Sequence, residues 1–276
     1  MPPSRLVLGG HSFIEQLGSD RAASETDQVA IVERCLDNGI TCFDTTYQPE
    51  RVALGRALAR LGRRREATII AWNFFTDFAP GGQVGGPSHF QPHHIELMLS
   101  QLQTTHIDLL VVHAMGNPDQ DLRQEQLAHE WVRQGLVGKL GTWYPGADAA
   151  TVYGRSHPCS FMVRPYNITT ADAAPAFAAC KSLGWQNFAC SPFVRGWELD
   201  KLTDSAASAM DTDRDTARTR LADLMLRYAL FAPDVDRLIV AVRRPELVRI
   251  NRDSESRGPL TPPERALLEK IRDTQR

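Results

Sequence analysis

The sequence has no apolar run near the roughly 18 residues that a membrane-spanning helix needs, so no membrane partner is expected. The opening MPPSRLVLGG lacks the apolar core of a secretion signal. Neither sign of charge is in excess: 31 Lys and Arg stand against 33 Asp and Glu, a net of −2. That balance excludes a basic nucleic-acid surface and an acidic tail. Cysteine is sparse and odd in number, five in all, at 35, 42, 159, 180 and 190 with no C-x-x-C pair. The pattern excludes a disulfide framework and points to reduced, mostly buried thiols in a cytoplasmic protein. His93-His94 has no third ligand at suitable spacing, so no metal site is expected. Gly9-Gly10-His11 after the first apolar run is not a G-x-G-x-x-G turn, and Walker, H-E-x-x-H and G-x-S-x-G motifs are all missing. No repeat, low-complexity tract or internal boundary divides the 276 residues, a length suited to one domain over 1–276 with a sizeable core.

What is present is a strand-then-helix alternation. Apolar runs at 5–9, 40–44, 67–71, 107–112, 136–142, 161–163, 187–190 and 238–242 read as eight strands. Helical spacing, caps and stops mark the segments between them. Ser24 caps the first helix and Asn38-Gly39 stops it; Pro49 opens the second, with Val52, Leu54, Leu58 and Leu61 as its apolar face. Further helices are expected near 92–102, 124–134, 147–153, 171–183, 216–231, 246–251 and 265–272. Arg63-Arg64-Arg65 reads as a solvated turn. Eight such units in this length predict a (β/α)8 TIM barrel. The segment 73–92 carries four phenylalanines among glycines, which favours a lid over a linker.

In a barrel of this kind the strand ends converge on one site. They would supply His11, Asp44, Tyr47, Trp72, Asn73, His113, Trp143, Tyr144, Arg164, Tyr166 and Asn167. A carboxylate, a phenol and an imidazole from different strands form an acid/base set, and the aromatics form flat pocket walls suited to a sugar, an aromatic ring or a cofactor ring. Arg243-Arg244 beside a helix start makes a candidate phosphate site.

Six segments in order resemble the aldo-keto reductases. They are FDTTYQPERVALGRAL at 43–58, LQTTHIDLLVVH at 102–113, GLVGKLGTWY at 135–144, PYN at 165–167, ACSPF at 189–193 and IVAVRRPELVRIN at 239–251. The resemblance implies hydride transfer from NADP(H) to a small carbonyl or sugar-like substrate. It places Asp44, Tyr47 and His113 in the catalytic set, and Ser191, Arg243 and Asn251 at the cofactor's phosphates and adenine. The other residues named above would line the substrate pocket. It also implies an N-terminal hairpin, which this sequence lacks before its first strand.

The departures are specific. The lysine of the family's catalytic tetrad falls on Trp72, and Tyr47 follows Asp44 by three residues instead of five. A phenol with an ordinary pKa near 10 needs a nearby cation to exchange a proton readily at neutral pH. Positions that would hold the nicotinamide are Trp143, Tyr144, Val163 and Cys190. Three readings follow: an NAD(P)H-dependent reductase with a degenerate tetrad, a cofactor-independent acid/base enzyme (isomerase, epimerase, dehydratase or lyase) on a polyol-like substrate, and a non-catalytic small-molecule-binding barrel. The balanced composition suits a monomer or a weak homo-oligomer.

Overall fold

The computed structural model describes residues 3–15, 22–73, 90–113, 117–143 and 159–274. Eight parallel strands close a barrel in chain order: β1 (Leu6–Leu8), β2 (Cys42–Thr45), β3 (Thr68–Trp72), β4 (Ile107–His113), β5 (Val137–Trp143), β6 (Cys159–Pro165), β7 (Gln186–Cys190) and β8 (Arg237–Val240). The described helices are α1 (Glu25–Asp37), α2 (Gln48–Leu61), α3 (His94–Leu102), α4 (Pro118–Arg133), α5 (Ala174–Ser182), α6 (Trp197–Met210), α7 (Arg214–Leu230), α8 (Glu246–Ser256) and α9 (Pro262–Asp273). The expected helix at 147–153 and nearly all of the expected lid at 73–92 lie outside the described residues.

Period-two alternation sorts each strand into an inner and an outer face. Val7, Cys42, Ile70, Leu109, Val111, Phe161, Val163, Phe188 and Ile239 pack together inside the barrel. Their sequence neighbours Leu6, Phe43, Ile69, Leu110, Met162, Ala189 and Leu238 pack outward with the helices. The interior is tight: a Cβ on Gly141 would lie 2.2 Å from the Phe161 ring, so this strand position accepts only glycine at that spacing.

The seam between first and last strands is clasped by polar groups. Ser4 Oγ donates to Glu255 Oε2 at 2.6 Å and the Arg5 N–H to Glu255 Oε1 at 2.7 Å. The Arg5 guanidinium donates to the carbonyls of Leu230, Val235 and Asp236, and stacks over Phe231 at 5.1 Å.

Three expectations are corrected. No helix was expected over 197–210, yet α6 is there, with Leu199, Leu202 and Ala206 buried at helical spacing against Leu221 and Leu224 of α7 and Leu268 of α9. Its inner face mixes Leu199 and Leu202 with Thr203 and Ala206, which carry little apolar signal and dilute the pattern. In α2 the buried face is Ala53, Leu54, Ala57 and Leu58, while Val52 is 39% exposed. Arg64 is no solvated turn residue: it donates to the carbonyls of Ala67 and His106, to Thr104 and to Asp108.

Candidate active site

Alternation along β2 turns Cys42 and Asp44 inward, and Asp44 is the last inward residue before the chain leaves the strand at the carboxyl end of the barrel. β3 sends Trp72 inward from the neighbouring strand. The Trp72 indole Nε1–H donates to Asp44 Oδ1 at 2.7 Å, and both residues are buried. Burial pushes the Asp44 carboxyl up to about 7; the charge of Glu50 adds to this, and the Trp72 bond and His11 only partly offset it.

On one side of Asp44 lies a second polar group. The chain after β1 makes a short 3-10 turn, Gly10–Ser12, that carries His11. His11 Nδ1 is 2.8 Å from Glu50 Oε1. Glu50 is fully buried in the first turn of α2, and its other oxygen accepts the backbone N–H groups of Thr46 at 2.6 Å and Tyr47 at 3.3 Å. Three donors therefore hold a carboxylate that could not otherwise remain inside. Burial alone would lower the His11 pKa, but the Glu50 hydrogen bond and charge, with the charge of Asp44, outweigh it and raise the pKa above its ordinary value. The Tyr47 ring stacks on His11 with centroids 5.8 Å apart. Burial and the charge of Glu50 raise the Tyr47 pKa. The Arg195 guanidinium acts on both rings and lowers both values. Gly10 is needed here: a Cβ would lie 2.3 Å from Glu50 Oε2 and 2.8 Å from the Asp44 carbonyl.

On the other side is an aromatic wall. Trp143, the last residue of β5, is in register with His113 of β4. Trp72 and Trp143 are 5.2 Å apart between centroids, and His113 lies 6.4 Å from each. The structure thus joins His11, Asp44, Tyr47, Trp72, His113 and Trp143 into one connected group. Tyr144 lies outside the described residues.

Other expected site residues have structural work. Asn73 is buried; its Oδ1 accepts the His113 N–H at 2.7 Å and its Nδ2 donates to Gln124 Oε1 at 3.1 Å, so it fixes the backbone under His113. Asn167 binds the backbone of Thr169 and Thr170 and donates to the Ser191 carbonyl, which pins the β6 loop to the β7 loop. Tyr166 packs outward between Phe177 of α5 and Tyr228 of α7. Arg164 is buried at the end of β6, 3.8 Å from Asp172.

At the expected cofactor positions, Ser191 has φ +59° and starts a loop in which Val194, Arg195 and Gly196 also have positive φ. Non-glycine residues held there carry backbone strain of about 1–3 kcal/mol each, a feature that clusters at ligand-binding loops. Arg243 Nη2 donates to the carbonyls of His11 and Ile14, and Asn251 lies on α8. Glu50 and Arg195 were not foreseen as site residues. Glu50 has the spacing of an ordinary helix cap, and Arg195 owes its place to a left-handed backbone that no periodicity encodes. A positively charged residue between two turns, beside the Gly196 that ends the loop, was the available signal.

A parallel barrel with acids, bases and aromatic rings at its carboxyl edge defines the class of (β/α)8 proteins whose chemistry sits at the strand ends. Within that class, the chain belongs to the aldo/keto reductase family, whose model matches residues 5–273. It is an aldo-keto-reductase-like oxidoreductase. It is 26% identical over 247 residues to the uncharacterized oxidoreductase YrpG of Bacillus subtilis (strain 168), covering 82% of this chain and 72% of that protein. Its fold is similar to the holo form of aldo-keto reductase AKR11C1 from Bacillus halodurans, with TM-score 0.74 and 20% identity over 98% of this chain and 92% of that one. It is also similar to the glycerol dehydrogenase AKR11B4 of Gluconobacter oxydans, with TM-score 0.71 and 17% identity over 98% and 92% of the two chains. Among the described residues, no helix is long and apolar enough to cross a membrane.

Proposed function

We propose that this protein is an NAD(P)H-dependent reductase of a small carbonyl compound in which His11, held by Glu50, replaces the tyrosine as proton donor. The observation that carries the reading is the His11–Glu50 pair beside Asp44. A proton donor works best with a pKa near the operating pH. Tyr47 starts near 10 and is pushed higher, so it gives up a proton poorly at neutral pH. His11 starts at 6.5 and is pushed up, so a substantial fraction is protonated there. Glu50 engages Nδ1, which leaves Nε2 as the nitrogen able to meet a substrate oxygen. Asp44 adds a second group that changes protonation near neutrality, while Tyr47 packs against the imidazole and orients it.

The residues fit the phosphate half of the cofactor. The strained loop at Ser191–Gly196 and the Arg243 guanidinium lie at adjoining strand ends, with Asn251 further along α8. The ring half has a different wall: Val163 is wholly buried and Cys190 stands beside it, with Trp143 leaning on Trp72 and His113. A bound nicotinamide would supply the hydride; this chain's own contribution is to move the proton and to dry the pocket with three aromatic side chains. The free thiols, four buried and one partly so, suit a reducing compartment such as the cytoplasm.

The altered ring wall favours a second reading, acid/base chemistry on a polyol-like keto compound without redox. NADPH decides between them. The reductase reading expects millimolar NADPH to raise the thermal midpoint and to support carbonyl reduction, with activity falling about 10²–10⁴-fold in His11→Gln and less in Tyr47→Phe. Equal losses in the two variants would return the proton to Tyr47. Solvent deuterium exchange into a ketose, with no response to NADPH or NADH, would replace the reductase reading by the non-redox one.

A further inference from the structure

The barrel has a second opening, at the amino ends of its strands, away from the residues described above. There a cavity of about 370 Å³ is lined by the first residues of six strands or their preceding turns. Its volume falls in the range of small-molecule sites, roughly 300–1,000 Å³. Its floor is apolar: Cys42, Leu109 and Phe188, all inward-facing. Its rim carries two cations, Lys139 of β5 and Arg237 of β8. Alternation turns both inward, since Trp143 and Ile239 share their faces, and Arg237 reaches the Cys42 thiol.

One carboxylate, Asp108, also lines the cavity, but it and the neighbouring Asp236 have partners of their own. Asp236 pairs with Lys181, and Asp108 pairs with Arg64 while also accepting the Ile69 N–H. The mouth therefore holds Lys139 and Arg237, with Asp108 already paired to Arg64, above an apolar floor. Inorganic anions would use the rim alone; an organic acid with a short apolar body would use both.

We propose that this amino-end cavity is a binding site for a small organic carboxylate, its carboxylate on Lys139 and Arg237 and its apolar body on Leu109 and Phe188. The site is independent of the reading given to the carboxyl end. Thermal shift and titration calorimetry on the full chain, with hexanoate as the probe and inorganic phosphate as comparator, test it. Hexanoate is expected to raise the midpoint saturably at millimolar concentration and phosphate to have a much smaller effect. Lys139→Gln and Arg237→Gln are each expected to weaken hexanoate about tenfold, while His11→Gln at the opposite end leaves its binding unchanged. Lys139 is exposed, so Lys139→Gln preserves the fold and decides the matter alone if Arg237→Gln does not fold. No saturable binding of hexanoate, an equal response to phosphate, unchanged binding in Lys139→Gln, or loss of binding in His11→Gln would each overturn the site.

Discussion

At the scale of single residues, Asp44 governs how the protein responds to pH. Unfolded, its carboxyl loses its proton near 3.8; folded, it keeps it until about 7. Between those values the folded state binds the extra proton, so stability falls as pH rises. The gap is worth up to about 4 kcal/mol. His11 tilts the same way: its raised pKa gives stability that is full below 6.5 and is lost as pH climbs through the folded value. The thermal midpoint is thus expected to drop between pH 5 and pH 8. Asp44→Asn keeps an acceptor for the Trp72 indole and removes the titration, so its midpoint at pH 8 should exceed that of the wild type. A variant that tracks the wild type at every pH would remove Asp44 as the cause. Gly141 makes a second residue-scale case. Gly141→Ala forces the Phe161 ring from the barrel interior, and a loss of about 1–3 kcal/mol is expected in urea unfolding.

At the scale of elements, one buried guanidinium ties three segments together. Arg227 of α7 donates to both oxygens of Glu264 on α9, to Asp223 one turn back, and to the carbonyls of Gly258 and Pro259. Glu264 also caps α9 with Thr261, and the Arg227 bond holds its carboxyl down at about 2. Arg227→Ala leaves these acceptors without their donor and is expected to cost about 3–5 kcal/mol. Glu264→Ala should cost less, and the double variant should fall short of the sum, because one interaction is removed twice. These elements also mark what the sequence could tell. All eight strands were legible, because strands buried on both faces, by the barrel interior and by the helical layer, read as continuous apolar runs. The helix α6 was not, since threonine and alanine share its inward positions with two leucines and dilute the apolar pattern. At the site, the strand-end residues could be named from position alone. The partnership of His11 with Glu50 could not, because it joins residues 39 apart through a turn whose geometry depends on Gly10.

At the scale of the whole molecule, the two ends of the barrel differ in kind. The carboxyl end gathers titratable groups behind aromatic walls, and the amino end exposes cations over an apolar floor. Between them the cylinder is a solid column of side chains, so a ligand at one end has no open path to the other. The closed sheet also makes the clasp at Arg5 a global element. Arg5→Ala removes three hydrogen bonds to carbonyls and the stacking on Phe231. A loss of about 2–4 kcal/mol with an unchanged denaturant slope is expected, seen as a lower urea midpoint. A change in slope instead would mean that the seam opens separately from the rest.

That clasp has a consequence for how the chain is made. β1 is translated well before its partners, Leu238–Val240 of β8 and Glu255, which lies 250 residues after Arg5. Until β8 is made one edge of β1 has no neighbour, and an uncovered edge is a template for wrong pairing. Closure of the barrel therefore waits for β8 to emerge, and chains halted before residue 237 are the ones a chaperone would have to guard.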